Sequence, residues 1–232
     1  MPSLKKQKAV PYLSVAEMKE IADELREKYQ DAETRVFAAP GFLRALRTHL
    51  RPSDKVLDLG SANGHVFTVL HELGLKETYG ADIENFLVKG FPTRGLQTFD
   101  FNRDVYPYAD ASFDAVTSIE TVEHLENPFH FAREIARLLK PGGVLILSTP
   151  NPNHAFNKIL FVRRGEFYRF LAGNDHISIL TDPILKKGFL THFELVETSY
   201  LLPEMPWRFL RRFTYPANKH FGRVALYVFR KK

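Results

Sequence analysis

The sequence predicts an α/β fold, a doubly wound and mostly parallel sheet of seven strands with helices on both faces. Short apolar runs rich in strand-forming residues alternate with amphipathic helical runs, an order typical of parallel sheets with helical crossovers. The strands are expected at 55–59, 78–82, 97–101, 114–119, 144–149, 193–200 and 222–230. Helices are expected near Pro40 and at 64–73, 84–90 and 128–139.

The first predicted strand runs into a turn of small residues and then into a helix. Residues 55–59 place strand formers around Asp58, and residues 60–64 (Gly-Ser-Ala-Asn-Gly) carry almost no side-chain bulk. Apolar residues then recur at helical spacing over 66–70. Such a turn lets the backbone approach a ligand closely, and the helix behind it presents free N–H groups. The segment therefore predicts a small-molecule site.

An acidic residue at the end of the next strand strengthens this prediction. In nucleotide-binding folds such a residue lies about 20 positions beyond the turn and binds a ribose hydroxyl. Asp82 follows Asp58 by 24 positions and ends the predicted second strand. A role as the N-cap of the next segment is the alternative. The strand-end position favours a ligand that contains a nucleoside.

The turn lacks the glycine pattern of dinucleotide-binding folds, which is Gly-x-Gly-x-x-Gly. It resembles Asp-x-Gly-x-Gly-x-Gly, the first motif of class I S-adenosylmethionine-dependent methyltransferases, through Asp58, Gly60, Ala62 and Gly64. The chain departs from that family at the middle position. The added methyl group of Ala62 is expected to be tolerated if φ stays negative there.

Four further motifs of the same family follow in order. Residues 99–102 resemble the end of its third strand, 108–116 the approach to its fourth, and 120–128 the exit from it. Residues 138–151 resemble its fifth strand, with a Lys-Pro-Gly-Gly turn ahead of it. The resemblance, over roughly 54–152, implies a Rossmann-like methyltransferase fold whose last strand is antiparallel. It also implies S-adenosylmethionine as the cofactor.

The family pattern assigns cofactor contacts by position. The residues concerned are Asp58, Gly60, Ala62, Gly64, Asp82, Ile83, Asp100, Phe101 and Glu120. The turn should pass under the methionine part, with its preceding acid holding the amino group through water. Asp82 should accept both ribose hydroxyls, and Ile83 should lie against adenine. Asp100 and Phe101 should meet the edge and face of adenine, while Glu120 approaches the methionine end.

Two histidines are the candidate catalytic residues. Methyl transfer from a sulfonium is an in-line displacement, so the protein mainly positions the nucleophile and excludes water. A hydroxyl acceptor needs a general base, and histidine titrates near neutral pH. His124 follows the fourth strand, and His176 lies beside Asp175; a structural role is the alternative for each. No metal site is expected, because Asp175 and His176 are adjacent without a spaced carboxylate cluster.

Composition limits the classes of protein that the chain can represent. Its 232 residues suit a single domain, 1–232, and a hydrophobic content of 44% is ordinary for a packed core. The lack of cysteine excludes disulfides, thiolate zinc sites and a cysteine nucleophile. Neither a signal peptide nor the ~20 apolar residues of a membrane span can be recognised. We therefore expect a cytoplasmic protein.

Two segments extend the predicted domain. Residues 1–50 should form an N-terminal helical segment, and residues 153–177 interleave aromatic and basic side chains after the fifth strand. Ligands of open α/β sheets bind beyond the carboxyl ends of the strands. We therefore interpret 153–177 as a substrate cap; a surface helix with an apolar inner face is the alternative. Its composition suits a phenolic, lipid-linked or sugar acceptor, most simply one methylated on a hydroxyl.

Positive charge is concentrated at the carboxyl end of the chain. Residues 205–232 contain eight basic side chains and no acid, whereas the whole chain has a net charge of +5. Residues 206–215 could form a basic amphipathic helix that contacts an anionic membrane peripherally. We favour the alternative, a short helix that packs its aromatic side chains on the sheet.

Two other functions remain open from the sequence. The basic, aromatic carboxyl end is compatible with an RNA or protein methyltransferase. Nucleic acid is not expected as a partner, because the fourth strand ends in Ile-Glu-Thr-Val-Glu-His rather than in an Asn-Pro-Pro-Tyr-like motif. A non-catalytic methyltransferase-fold binding protein ranks last, since only Ala62 departs from the cofactor pattern. The oligomeric state is left open.

Overall fold

The sheet has seven strands in the order β3-β2-β1-β4-β5-β7-β6. The computed structural model describes residues 34–87, 92–171, 173–203 and 213–232. The strands are β1 (Lys55–Leu59), β2 (Glu77–Asp82), β3 (Leu96–Thr98), β4 (Phe113–Ile119), β5 (Leu139–Pro150), β6 (Phe193–Pro203) and β7 (Gly222–Lys231). The helices are α1 (Pro40–His49), α2 (His65–Glu72), α3 (Pro128–Leu138), α4 (Ala155–Arg164) and α5 (Asp182–Gly188). Two 3₁₀ turns occupy Thr34–Val36 and Val122–His124.

Only β7 runs against the other strands. The pairs from β3 through β2, β1 and β4 to β5 are parallel, whereas β7 is antiparallel to both β5 and β6. The predicted α/β fold with an antiparallel last strand is therefore confirmed. Parallel strands place their carboxyl ends at one edge, so the turns after β1, β2 and β4 meet there.

The structure differs from the predicted elements in β3, in the helix expected at 84–90 and in β5. The strand β5 begins at Leu139 instead of residue 144, so it includes the Lys-Pro-Gly-Gly segment that was expected to be a turn ahead of it. β3 ends at Thr98 instead of residue 101, because the next residues form a turn closed by the side chain of Asp100. Asp100 Oδ1 accepts from the N–H of Asn102 at 2.8 Å. The described part of the helix expected at 84–90, residues 84–87, is not helical. The predictions for residues 1–33 and for most of 206–215 fall outside the described residues.

Each face of the sheet carries its own apolar core. From β1, Leu57 and Leu59 join the core that includes α3 and α5, whereas Val56 joins the core that includes α1 and α2. Successive side chains of a strand point to opposite faces. Full burial of one such side chain stabilises the fold by roughly 1.5–3 kcal/mol. Burial on both faces explains why the central strand β5 contains a continuous apolar run at residues 144–147.

The segment expected to form a cap starts with α4 and returns to the sheet edge. Most of α4 is exposed, and its Val162 side chain is 85% exposed. Beyond α4, the N–H groups of Ile177 and Ser178 donate to the carbonyl of Glu123 at 2.8 and 2.9 Å. Ser178 Oγ also donates to the carbonyl of Leu125. These bonds hold the end of the segment against the turn after β4.

No helix among the described residues is both long and apolar enough to span a membrane.

Candidate active site

A cavity of about 320 Å³ lies at the carboxyl ends of β1 and β4. The turn 60–63 lines one part of it, and Glu120, His124, Asp175 and His176 line another. A larger groove of about 1190 Å³ lies between α1 and β6. None of the described residues that line that groove is an acid or a histidine. We therefore place the candidate site at the smaller cavity, where titratable side chains meet the small-residue turn.

The turn after β1 is held in a left-handed conformation at three positions. The φ angles are +84° at Gly60, +41° at Ala62 and +84° at Gly64. A Cβ atom at Gly60 would overlap the side chain of Thr121, so that position has no room for one. The negative φ that was the condition for tolerating the methyl group of Ala62 is therefore not met. Alanine there adopts a conformation that normally costs about 1–2 kcal/mol for a residue with a Cβ atom.

Asp82 connects this turn to the end of β2. Its Oδ2 accepts from the N–H of Ala62 at 2.8 Å, and its Oδ1 accepts from the N–H of Ile83 at 2.7 Å. Each carboxylate oxygen can accept more than one hydrogen bond. The carboxylate therefore fixes the turn and still has capacity to accept from ligand hydroxyls.

Asp58 is a buried acid at the centre of the sheet edge. Its Oδ1 accepts from Thr117 Oγ1 at 2.6 Å, and Asp58 and Thr117 are paired across β1 and β4. Its Oδ2 has no hydrogen-bond partner among the described residues. Burial raises the pKa of Asp58 to about 7, against the opposing effect of the Thr117 hydrogen bond. A cationic ligand group beside Asp58 would offset the cost of burying its ionised carboxylate.

The residues expected at adenine occupy different environments. Ile83 is 61% exposed and offers a free apolar surface beyond β2. Asp100 pairs with Arg103, with 2.9 Å between Oδ2 and Nε. Phe101 is only 5% exposed, and its ring lies between Tyr106 and Phe131 in the aromatic core. The ring of Phe101, which was expected to contact the face of adenine, is packed inside the aromatic core and is not exposed at the surface.

Two glutamates lie close together after β4. Glu120 has a φ of +53° and accepts from Ser148 Oγ at 3.0 Å. Burial raises its pKa, and the charge of Arg169 partly offsets the effect. Glu123 has no exposed surface, and neither carboxylate oxygen has a hydrogen-bond partner among the described residues. Burial, and then the charge of Glu120, raise the pKa of Glu123 well above its ordinary value.

The two candidate histidines lie side by side although 52 residues separate them in sequence. The ring centroids of His124 and His176 are 4.8 Å apart, and the rings are nearly perpendicular at 86°. His124 Nδ1 lies 3.1 Å from Asp175 Oδ2, and Phe170 packs against His176. Burial lowers the pKa of His176, and the charges of His124 and Arg169 lower it further. The segment after α4 thus supplies one histidine and the turn after β4 the other.

Three residues of the site were not assigned by sequence. Thr117 could have been found only from the strand register that pairs it with Asp58. Glu123 is one of three glutamates in residues 120–126, and nothing in the sequence indicates that it is buried. Arg169 was one of several basic residues in the segment after α4, and only the fold brings it to the cavity. None of these features has a local sequence signal, because each depends on contacts between distant segments.

Comparison with known proteins identifies the family of this chain. A family model described as a methyltransferase domain matches residues 27–190. The chain belongs to this methyltransferase domain family and is a class I S-adenosylmethionine-dependent methyltransferase, with S-adenosylmethionine as its cofactor. The prediction of an enzyme is confirmed, and the binding-protein alternative is set aside.

Curated relatives and solved structures give the same class. A ubiquinone biosynthesis O-methyltransferase of Xanthomonas oryzae pv. oryzae is 34% identical over 164 residues, which span 66% of this chain and 68% of the relative. That of Xanthomonas axonopodis pv. citri is 32% identical, over 73% of this chain and 74% of the relative. In fold, the chain is similar to a SAM-dependent methyltransferase of Archaeoglobus fulgidus, with a TM-score of 0.63 and 18% identity. The match covers 90% of this chain and 99% of the other. An S-adenosylmethionine-dependent methyltransferase of Mesorhizobium loti matches with a TM-score of 0.54 and 16% identity, over 81% of this chain and 96% of the other.

Proposed function

We propose that the protein transfers a methyl group to a hydroxyl of a small-molecule acceptor that is phenolic, lipid-linked or a sugar. The observation that carries the proposal is the pair His124 and His176, which faces the same cavity as the turn 60–63. The names of the curated relatives, which are O-methyltransferases, support the choice of oxygen as the acceptor atom.

The residues around the turn fit the cofactor. Asp58 Oδ2, buried and without a partner among the described residues, suits the ammonium group of the methionine part. Asp82 has capacity for the ribose hydroxyls, and exposed Ile83 offers an apolar surface for adenine. Glu120 lines the cavity between these groups and the histidines. We assign these residues to the cofactor side of the site.

The acceptor side is formed by the two histidines and Asp175. When bound, the cofactor supplies an electrophilic methyl group on a good leaving group. The protein then has to align the acceptor oxygen, exclude water and receive or redirect the hydroxyl proton. His124 is oriented by Asp175 at 3.1 Å, and His176 is held by packing against Phe170. These contacts support the assignment of both imidazoles to the acceptor side of the site.

Calorimetric titration with S-adenosylhomocysteine, followed by a methyl-transfer assay, tests this proposal. A panel of phenols, lipid-linked phenols and nucleotide-sugars would serve as acceptors. We expect micromolar binding, transfer to one acceptor class, and loss of transfer but not of cofactor binding in His124→Ala and His176→Ala. His71→Ala, an exposed histidine on α2, is the control and should behave like the wild type. Salt-sensitive retention on RNA with transfer to RNA would favour the nucleic-acid alternative and contradict the proposal.

A further inference from the structure

Glu123 is a fully buried acid beside a second acid, Glu120, and the nearby Thr149 hydroxyl and the charge of Arg169 offset only part of the cost of its burial. Its side chain has no exposed surface, and both carboxylate oxygens lack a partner among the described residues. A buried carboxylate without compensation is strongly unfavourable. Unsatisfied buried groups of this kind are rare in native proteins, and a bound ion is one of the recognised explanations.

The neighbours of Glu123 are good metal ligands. Glu123, His124 and His176 each offer one ligand atom, and these atoms lie within 4.8 Å of one another. Ligand atoms of a tetrahedral zinc ion lie about 3.4 Å apart, given metal–ligand distances near 2 Å. Rotation of the His124 side chain, which is 35% exposed, can close part of this difference.

The surroundings of the two histidines also match a metal site. A histidine that binds a metal through one ring nitrogen usually has a carboxylate or carbonyl at the other. Asp175 Oδ2 lies 3.1 Å from His124 Nδ1, which leaves Nε2 of that ring for an ion. Nδ1 of His176 is buried and has no partner among the described residues. The backbone bonds from Ile177 and Ser178 to Glu123 hold His176 in place.

We propose that Glu123, His124 and His176 bind a divalent transition-metal ion of the Zn²⁺ type, with an open coordination position for an oxygen of the acceptor. Two imidazoles and one carboxylate form a donor set that suits zinc and similar ions, whereas Mg²⁺ and Ca²⁺ prefer oxygen ligands. No metal site was expected from the sequence, because only the fold brings His176 next to Glu123 and His124, about 50 positions earlier in the chain.

The role of the ion rests on the proposed function. A hydroxyl bound to a dication is more acidic, so it would release its proton to solvent near neutral pH. Its oxygen would then form the new O–CH₃ bond while the S–CH₃ bond breaks and the electron pair stays on sulfur. Arg169 lines the same cavity, and Glu120 lies close enough to offset its charge. The ion would thus replace a free imidazole as the group that activates the acceptor.

Metal binding by the untagged, chelator-treated full chain tests the inference. Equilibrium dialysis with Zn²⁺ and metal analysis would give stoichiometry, and Co²⁺ would report coordination by its visible absorption. We expect one Zn²⁺ per chain, with Mg²⁺ unable to compete. Glu123→Gln should weaken binding by at least ~100-fold, and Asp175→Asn, which removes only the neighbouring carboxylate, by roughly 10–100-fold. His71→Ala is the matched control for adventitious histidine binding and should leave the affinity unchanged.

S-adenosylhomocysteine titration of each variant separates a local effect from misfolding. Retained cofactor binding together with lost Zn²⁺ binding in Glu123→Gln would support the site. Absence of stoichiometric Zn²⁺ binding in a wild type that binds the cofactor would overturn the inference and leave the proposed methyl transfer standing. Zn²⁺ binding that Glu123→Gln does not weaken would overturn it as well. Failure of the wild type to bind S-adenosylhomocysteine would count against the proposed function instead.

Discussion

Ala62 carries a backbone conformation that glycine would adopt more easily. Its φ of +41° lies in the left-handed region, and its N–H donates to Asp82. The hydrogen bond to the strand-end acid gives a physical reason why the turn keeps this shape in spite of the methyl group. The same shape brings the backbone of residues 60–63 to the cavity.

Replacement of Ala62 by glycine should therefore relieve strain. The gain of about 1–2 kcal/mol is partly offset by about 0.4–1 kcal/mol for the freer unfolded chain. We expect stability to rise by up to ~1 kcal/mol in urea unfolding. Ala111, with a φ of +50°, supplies the matched variant Ala111→Gly, which should gain similarly. Only Ala62→Gly should also bind S-adenosylhomocysteine more tightly; a clear loss of stability in it would contradict the strain argument.

Asp58 should make cofactor binding depend on pH. Burial raises its pKa to about 7 in the cofactor-free protein, whereas the ammonium group of the cofactor favours the ionised form. Affinity for S-adenosylhomocysteine should therefore rise with pH up to about 7 and then level, by up to tenfold per unit below that point. Asp58→Asn should bind weakly without this dependence, while Glu194→Gln, at an exposed acid of β6, should match the wild type.

The same shift sets the sign of a stability effect. The folded pKa of Asp58 lies above its unfolded value of 3.8, so the folded protein retains a proton that the unfolded chain loses. Stability without cofactor should thus fall as the pH rises from about 4 to 7. Calorimetric unfolding across this range should show a smaller fall in Asp58→Asn. Equal slopes in both proteins would show that another group is responsible.

At the scale of elements, the site depends on how the end of the segment after α4 docks on the turn after β4. Three hydrogen bonds from Ile177 and Ser178 reach the carbonyls of Glu123 and Leu125. They bring His176 to His124, and they do so through backbone groups that any sequence supplies. Residue identity enters through the Ser178 hydroxyl and through the ring of Phe170.

Removal of the Ser178 hydroxyl should loosen this docking. We expect Ser178→Ala to lose about 0.5–1.5 kcal/mol of stability and to lower the rate of methyl transfer, because His176 is less well held. Cofactor affinity should stay the same, since the turn 60–63 is not involved. Thr191→Ala removes a comparable hydroxyl-to-carbonyl bond, to Lys187, away from the site and should leave the transfer rate unchanged. An equal loss of cofactor affinity in Ser178→Ala would argue against a local effect.

At the scale of the whole molecule, the cofactor site is built from the ends of several strands. Asp58 comes from β1, Asp82 from β2 and Glu120 follows β4, and these strands are neighbours in the sheet. A ligand that contacts all three must stabilise the sheet edge as a unit. The second core, which includes residues of α1 and α2, packs on one face of the same sheet and should share that stabilisation.

Cofactor binding should therefore raise the unfolding temperature of the entire domain in one transition. At a concentration 100 times Kd, the added stability is about 2.7 kcal/mol, which corresponds to a shift of roughly 5 °C or more. Differential scanning calorimetry with S-adenosylhomocysteine measures it, and adenosine alone should give a smaller shift. Two transitions, only one of which moves, would contradict a single cooperative unit.

Local patterns in the sequence were sufficient for most of the fold. The alternation of strands and helices, the small residues at 60–64 and the acid at Asp82 depend on neighbours along the chain, and each lies where it was predicted. β3 is shorter than predicted because the Asp100 side chain closes a turn, which strand propensity does not report. The helix predicted at 84–90 is not formed over its described part, residues 84–87. A short amphipathic pattern does not by itself supply the tertiary contacts that a short helix needs to be stable.

The tertiary structure alone decided what surrounds each chemical group. Nothing local distinguishes buried Glu123 from its exposed neighbour Glu126, or indicates that the ring of Phe101 belongs to the core. The contact between His124 and His176 and the bond from Thr117 to Asp58 join residues more than 50 positions apart. Burial and hydrogen-bond partners depend on long-range packing. They determine the raised pKa values of Asp58 and Glu123 and the close approach of Glu123, His124 and His176.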